Sequence, residues 1–124
     1  MLDKFRRFQV GPDPFGRTWQ AEYRWLQTGI SIRHADTVDV KFVLWIEDPQ
    51  GVETDRQEKV IALPLPALME LSQETGHAIT DPWCARLAAR HLVYVMESGE
   101  DLEKTLITVP IAMLRRTAGL LQPV

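Results

Sequence analysis

Apolar and polar residues alternate along two segments in the first half of the chain, which is typical of half-buried β-strands. From Thr18 onward the apolar positions are Trp19, Ala21, Tyr23 and Trp25. A second series puts one apolar face on a strand, with Val38, Val40, Phe42, Leu44 and Ile46. Between the two, Thr28-Gly29 favours a turn and Ile30 begins a further strand. We expect a bend at 35–37, because one strand over 30–47 would be about three times the usual length.

A hairpin is predicted after the second series. Asp48-Pro49-Gln50-Gly51 has the proline and the glycine where a type I turn prefers them. The returning segment over 53–58 is almost wholly polar. Firm pairing is therefore expected only over 59–63, with the outer part of the hairpin as a solvated arm.

The strongest helix signal lies in the second half of the chain. Asp81 is the predicted N-cap, and Pro82 fits the first helical position, where its missing N–H has no intrahelical partner to lose. The helix over 82–97 is apolar on nearly every side and ends at Ser98-Gly99. A helix with so little polar surface is covered on several sides, so it should form the buried centre of the fold.

Three further elements surround this helix in the sequence. Pro66 fits the first turn of a helix that runs to about Gln73 and stops at Gly76. Residues 105–109 have the pattern of a strand. Residues 111–121 have that of an amphipathic helix.

Together these elements predict an α+β fold: an antiparallel β-meander of about four strands, then helix, helix, strand and helix, with the helices packed on one face of the sheet. Residues 1–16, rich in turn-formers, are expected to be an irregular N-terminal lead-in. Residues 17–124 are expected to form a single α+β domain. A length of 124 residues, with 45% hydrophobic and 25% charged residues, is ordinary for one folded domain.

Charge and composition exclude several classes of partner. A net charge of −3 argues against a general nucleic-acid binder, which needs clustered lysine and arginine. No apolar run approaches the ~20 residues that span a bilayer, and the N-terminal residues lack the apolar region of a secretory signal. One cysteine cannot form an internal disulfide. We therefore expect a cytoplasmic protein with no nucleic-acid or membrane partner.

The best polar cluster in the sequence is Arg33-His34-Ala35-Asp36. On a strand His34 and Asp36 point to the same side, and a carboxylate beside an imidazole fixes its tautomer and raises its pKa. Arg33 points to the opposite face, where it pairs with an acid or binds an anion. The structural alternative is a polar bend held by hydrogen bonds from Asp36 to the backbone.

Asp39 and Lys41 share a strand face with Val43 and Trp45. Opposite charges two residues apart usually mark a solvated face, but a face that mixes charge with large aromatics suits a partner surface or a ligand platform better. This pattern is the main reason to favour binding over catalysis.

Cys84 and His91 lie on the buried side of the central helix. A thiol near a helix N-terminus can have a lowered pKa, but a thiol among apolar groups is inert, and packing is the expected role of Cys84. His91 is seven residues away, ~10 Å along the helix, so it cannot serve Cys84 as a base. We interpret His91 as a core residue. No metal site and no cofactor are expected, since the histidines are scattered and the seven glycines form no phosphate loop.

Three functional hypotheses follow. The first is a non-enzymatic protein-interaction or self-association module, as a homo-oligomer or with another protein, with Arg33, His34, Asp36, Asp39, Lys41 and Trp45 as candidate binding residues. The alternative is a small-molecule binder with an aromatic pocket, in which Arg33 and His34 orient the ligand. The third is a small enzyme that uses His34 with Asp36, or Cys84.

Overall fold

The computed structural model describes residues 6–29, 36–100 and 102–121. The described residues form five strands and three helices. The strands are β1 (Arg7–Val10), β2 (Trp19–Gly29), β3 (Thr37–Glu47), β4 (Glu53–Pro64) and β5 (Leu106–Thr108). The helices are α1 (Leu65–Thr75), α2 (Asp81–Ser98) and α3 (Ile111–Leu121). None of the helices in this part of the chain has the length and apolar character needed to cross a bilayer.

The strands make one sheet in the order β1-β2-β3-β4-β5. Strands β1 to β4 are antiparallel neighbours, whereas β5 runs parallel to β4. The helices pack on one face, where their buried side chains join those of the sheet in a single core. The predicted α+β class, with an antiparallel meander and helices on one face, is confirmed.

The lead-in that the sequence predicts to be irregular contains strand β1. Its four residues pair with the start of β2, with Val10 opposite Trp19 and Phe8 opposite Ala21. Val10 is 1% exposed and Phe8 packs against the core. A four-residue strand with arginine at its start is too short for its alternation to stand out in the sequence, and pairing with β2 is what stabilises it.

Strand β2 departs from the predicted alternation at Arg24. The pairing with β3 shifts between Tyr23 and Trp25, so one extra residue is inserted and the side chains after it change faces. Trp25, predicted to lie with Trp19 on the core side, therefore lies on the opposite face and pairs with Lys41. The turn predicted at Thr28-Gly29 is also wrong, since β2 continues to pair with β3 through these residues. The strand predicted from Ile30 falls outside the described residues.

The outer half of the β3–β4 hairpin is paired, which corrects the expectation of a free arm. Glu53 lies opposite Glu47 and Thr54 opposite Ile46, so the ladder reaches the turn. The register shifts between Leu44 and Ile46. The polar residues of this half are exposed, and main-chain hydrogen bonds rather than apolar burial hold it to β3.

Helix α2 lies at the centre of the core, as predicted. Ten of its residues are buried, and it contacts β1, β3, β4 and α3. The predicted N-cap is wrong by one residue. Thr80 has extended backbone, its carbonyl accepts the first helical hydrogen bond from Cys84, and its hydroxyl accepts from the N–H of Trp83 at 3.3 Å. Asp81 is the first helical residue, where its charge still favours the helix dipole.

Buried Lys59 ties the loop before β5 to the sheet. Its side chain lies on the core face and the residue is 1% exposed. The ammonium group donates to the backbone carbonyls of Leu102 and Lys104, each at 2.7 Å. These bonds hold the loop next to β4, so that β5 can pair with Val60, Ile61 and Ala62.

Candidate functional site

The two faces of the sheet have different surroundings. One face packs on the helices, and the other, the open face, has no helix over it in the described part of the chain. On β3 the open face carries the side chains that alternate with the core positions, namely Asp39, Lys41, Val43, Trp45 and Glu47. The candidate site is on this face.

A row of side chains crosses the open face at right angles to the strands. Trp25 on β2 pairs with Lys41 on β3, Lys41 pairs with Val60 on β4, and Val60 pairs with Leu106 on β5. Trp25 is 36% exposed and Leu106 is 59% exposed, while Val60 is half-buried. These four residues form what we call the open-face stripe. It is apolar except for the ammonium group of Lys41.

Lys41 links the stripe to a charged pair on the same face. Its ammonium group lies 5.7 Å from the centre of the Trp25 ring, within the range of a cation–π contact. The same group pairs with the Glu58 carboxylate at 2.5 Å. The hydrogen bond and the charge of Lys41 lower the pKa of Glu58, with smaller contributions from Arg56 and Arg24. Glu58 is therefore anionic at neutral pH, and Lys41 is held over the indole ring.

Trp45 lies beneath the charged side chains instead of on the surface. It is 1% exposed. The guanidinium groups of Arg7 and Arg56 lie 5.0 Å and 5.9 Å from its ring centre, and its indole N–H donates to Glu47 at 3.0 Å. Trp45 thus supports the open face from below, and the accessible tryptophan there is Trp25.

A shallow depression of about 220 Å³ lies beside the stripe. Its lining consists of Arg24, Trp25, Lys41, Val43, Arg56 and Glu58. Arg24 also pairs with Glu22 at 3.2 Å, and Arg56 with Glu53 at 3.0 Å. The depression offers an indole face next to cationic groups that are already paired with acids.

The structure separates the residues of the predicted polar cluster from this surface. Arg33 and His34 lie outside the described residues, so the hypotheses built on them stay predictions. Asp36 is exposed, and its carbonyl accepts from the N–H of Leu65 at 2.8 Å. Asp39 lies on the open face, where it accepts from the hydroxyl of Thr37 at 2.8 Å. Of the six candidate binding residues, Lys41 is the one that contacts the accessible tryptophan.

Sequence reasoning missed most of the residues that surround Lys41. The bulge moved Trp25, and the register of the hairpin, which places Glu58 and Val60, was left open. The alternation over 105–109 indicates a strand, but it does not say which edge of the sheet takes it. A pattern that pairs Lys41 with an acid on the returning strand is the one signal that points to Glu58.

Cys84 and His91 are both part of the core. Cys84 is 2% exposed, and burial, together with the nearby charge of Asp81, raises the pKa of its thiol to about 11. The thiol is thus protonated at neutral pH, which removes the nucleophilic form. His91 is 4% exposed and stacks on Tyr94 with ring centres 5.8 Å apart.

We expect Cys84 to resist alkylation in the folded protein, because its thiol is both protonated and shielded from solvent. Iodoacetamide should modify it slowly at neutral pH and rapidly in denaturant, as followed by mass spectrometry. Rapid modification of the folded protein would mean that Cys84 is an accessible thiolate, and the enzyme hypothesis that uses it would regain its basis.

A second exposed apolar feature lies on the loop between β1 and β2. Phe15 is 74% exposed, and Arg17 lies between the Phe15 and Trp19 rings, 5.1 Å and 5.3 Å from their centres. The loop packs against the end of α2, where a Cβ atom on Gly99 would come within 2.7 Å of Pro14. A depression of about 520 Å³ adjoins this contact.

The buried carboxylate of Asp13 holds this loop in place. It accepts from the N–H groups of Phe15 and Arg17, from the Arg17 side chain and from the Trp19 indole, at 2.8–3.0 Å. Burial alone would raise the pKa of Asp13, but these bonds, that of Trp19 foremost, outweigh it and lower the pKa from 3.8 to about 2. Every bond of the carboxylate is satisfied within the chain, so we assign Asp13 a structural role.

Comparison of the chain with protein-family models, with curated proteins and with solved structures found no match.

Proposed function

We propose that this protein is a non-enzymatic interaction module that binds a protein partner through the open-face stripe. The observation that carries the proposal is the row of Trp25, Val60 and Leu106 on a sheet face that no described helix covers. Apolar side chains exposed in a contiguous row gain free energy when a partner removes them from water.

The shape of the surface favours a protein over a small molecule. The row crosses four strands, which at ~4.8 Å per step is about 14 Å. The depression beside it, at about 220 Å³, is smaller than the ~300–1,000 Å³ of most ligand pockets. A broad, shallow surface with an apolar centre and a charged rim has the layout of a protein–protein interface.

Trp25 is the residue expected to contribute most to binding. Tryptophan is enriched among interface residues whose truncation is costly, since its large ring buries much area with few rotatable bonds. The ammonium group of Lys41, 5.7 Å from the ring centre, limits the orientations of the indole before a partner arrives. Less conformational entropy is then lost on binding.

Site-specific photo-crosslinking tests the proposal. A benzophenone amino acid at position 25 should give discrete covalent adducts in cells that make this protein naturally, and the added substitution Leu106→Arg should abolish them. The matched control is the same probe at Met69, which is 52% exposed on α1. Equal adducts from both positions, or adducts that survive Leu106→Arg, would contradict binding through the stripe.

A further inference from the structure

We infer that the partner of the open-face stripe is a second copy of this chain, and that the two sheets pack face to face about a twofold axis parallel to the strands. The inference rests on the proposed function, since it names the partner of that same surface. It depends on the charge pattern of the face, on its area and on the order of residues along the stripe.

The charges of the open face complement one another. The cationic residues there are Arg7, Arg24, Lys41 and Arg56. The acidic ones are Glu22, Asp39, Glu47, Glu53 and Glu58. Both signs alternate across the surface, so it has little net charge with which to select a strongly acidic or strongly basic partner. A copy of the same surface offers both signs in the same proportion.

The order of residues along the stripe matches its own reverse. Rotation about an axis between β3 and β4, parallel to the strands, reverses the strand order but not the strand direction. Trp25 of one copy then faces Leu106 of the other, and Lys41 faces Val60. Lys41 also comes within one row of Glu58 on the other copy. Sheets that pack with their strands nearly aligned are a common arrangement, so this geometry needs no unusual crossing angle.

The face is large enough for a dimer. Its three long strands have 11, 11 and 12 residues. At ~3.3 Å per residue and ~4.8 Å between strands, the five-stranded face measures roughly 36 by 19 Å, on the order of 700 Å² in projection. A standard interface buries about 800 Å² on each partner once the relief of the side chains is counted. The contact of two such faces therefore falls in the range of stable dimers.

Sedimentation velocity on the full chain tests the inference. Wild type should sediment as a species of twice the 14.2 kDa chain mass. Trp25→Glu and Leu106→Arg, made separately, should each weaken the dimer at least tenfold, because each places a charge against an apolar residue. Both positions are solvent-exposed, so circular dichroism and melting curves should match those of wild type. Met69→Glu, on the helical side, is the control and should leave the dimer intact.

Mixing the two variants provides the decisive measurement. In the mixed dimer the introduced carboxylate faces the introduced guanidinium, and the other contact is the native one of Trp25 with Leu106. A 1:1 mixture should therefore form a dimer that neither variant forms alone. Failure of the mixture to associate would overturn the predicted pairing of Trp25 with Leu106.

Two other results separate this inference from the proposed function. A monomeric wild type at about 1 mM, a concentration at which even a weak dimer is populated, would overturn the second copy as partner. If photo-crosslinking at position 25 then captured a different protein, the proposed function would still stand. A dimer that is sensitive to Met69→Glu and insensitive to Trp25→Glu would overturn the inference by moving the interface to the helices.

Discussion

Leu87→Ala is expected to lower the free energy of unfolding by about 2–5 kcal/mol, because it leaves a cavity in the most tightly enclosed part of the core. Leu87 is fully buried in the middle of α2, and the helix contacts both the sheet and α3. The surrounding side chains belong to several elements, so they cannot all close in on the space that four lost heavy-atom contacts would leave. Urea unfolding followed by tryptophan fluorescence measures the change.

The matched comparison lies on the same helix. Thr80→Ala removes the N-cap hydroxyl that accepts from Trp83, with an expected loss of about 1 kcal/mol. Asp81→Ala removes only a charge near the helix dipole, with an expected loss of about 0.3–1 kcal/mol. If Leu87→Ala proved no more destabilising than Thr80→Ala, α2 would not be the centre of the core.

Asp13→Asn is expected to lower the free energy of unfolding by about 2–4 kcal/mol at neutral pH, because an amide cannot accept all the hydrogen bonds that the carboxylate accepts. Its amino group would face the donors of Arg17 or Trp19 or those of the backbone. The loop that carries Phe15 would lose its anchor, and limited proteolysis should then cut between β1 and β2.

The effect of Asp13 should also depend on pH. The pKa of Asp13 is lowered in the folded protein from 3.8 to about 2, so the carboxylate stabilises the fold above pH 4 and the stabilisation is lost as the pH falls through about 2. The difference in unfolding free energy between wild type and Asp13→Asn should therefore shrink between pH 4 and pH 2. Asp36→Asn, at an exposed position, is the control and should stay close to wild type throughout. A difference that stays constant down to pH 2 would show that Asp13 does not titrate with a lowered pKa.

The candidate site was half visible in the sequence. The alternation of β3 correctly places Lys41 and Trp45 on the face opposite the core positions, since side chains on a strand repeat every two residues. It does not say that Trp45 is covered by Arg7 and Arg56, because those contacts come from other strands. Burial of a side chain depends on its neighbours across the sheet, and local pattern carries no information about them.

Trp25 shows most clearly where local pattern fails. One inserted residue at Arg24 reverses the face of every later side chain in β2, and nothing in the alternation of the sequence marks the insertion. Register has the same effect in the hairpin, where the position of Val60 opposite Lys41 depends on how β4 is aligned.

By itself the sequence determined the helices and the class of the fold. The proline and cap signals around 80–82, the glycines at 76 and 99 and the apolar surface of α2 act over a few residues, so they can be recognised without knowing what they pack against. Only the tertiary structure decided which side chains share the open-face stripe. Its members come from β2, β3, β4 and β5, and the register between strands brings residues 25 and 106 into one row. That register is set by long-range packing, in which a shift of one residue exchanges the buried and exposed faces.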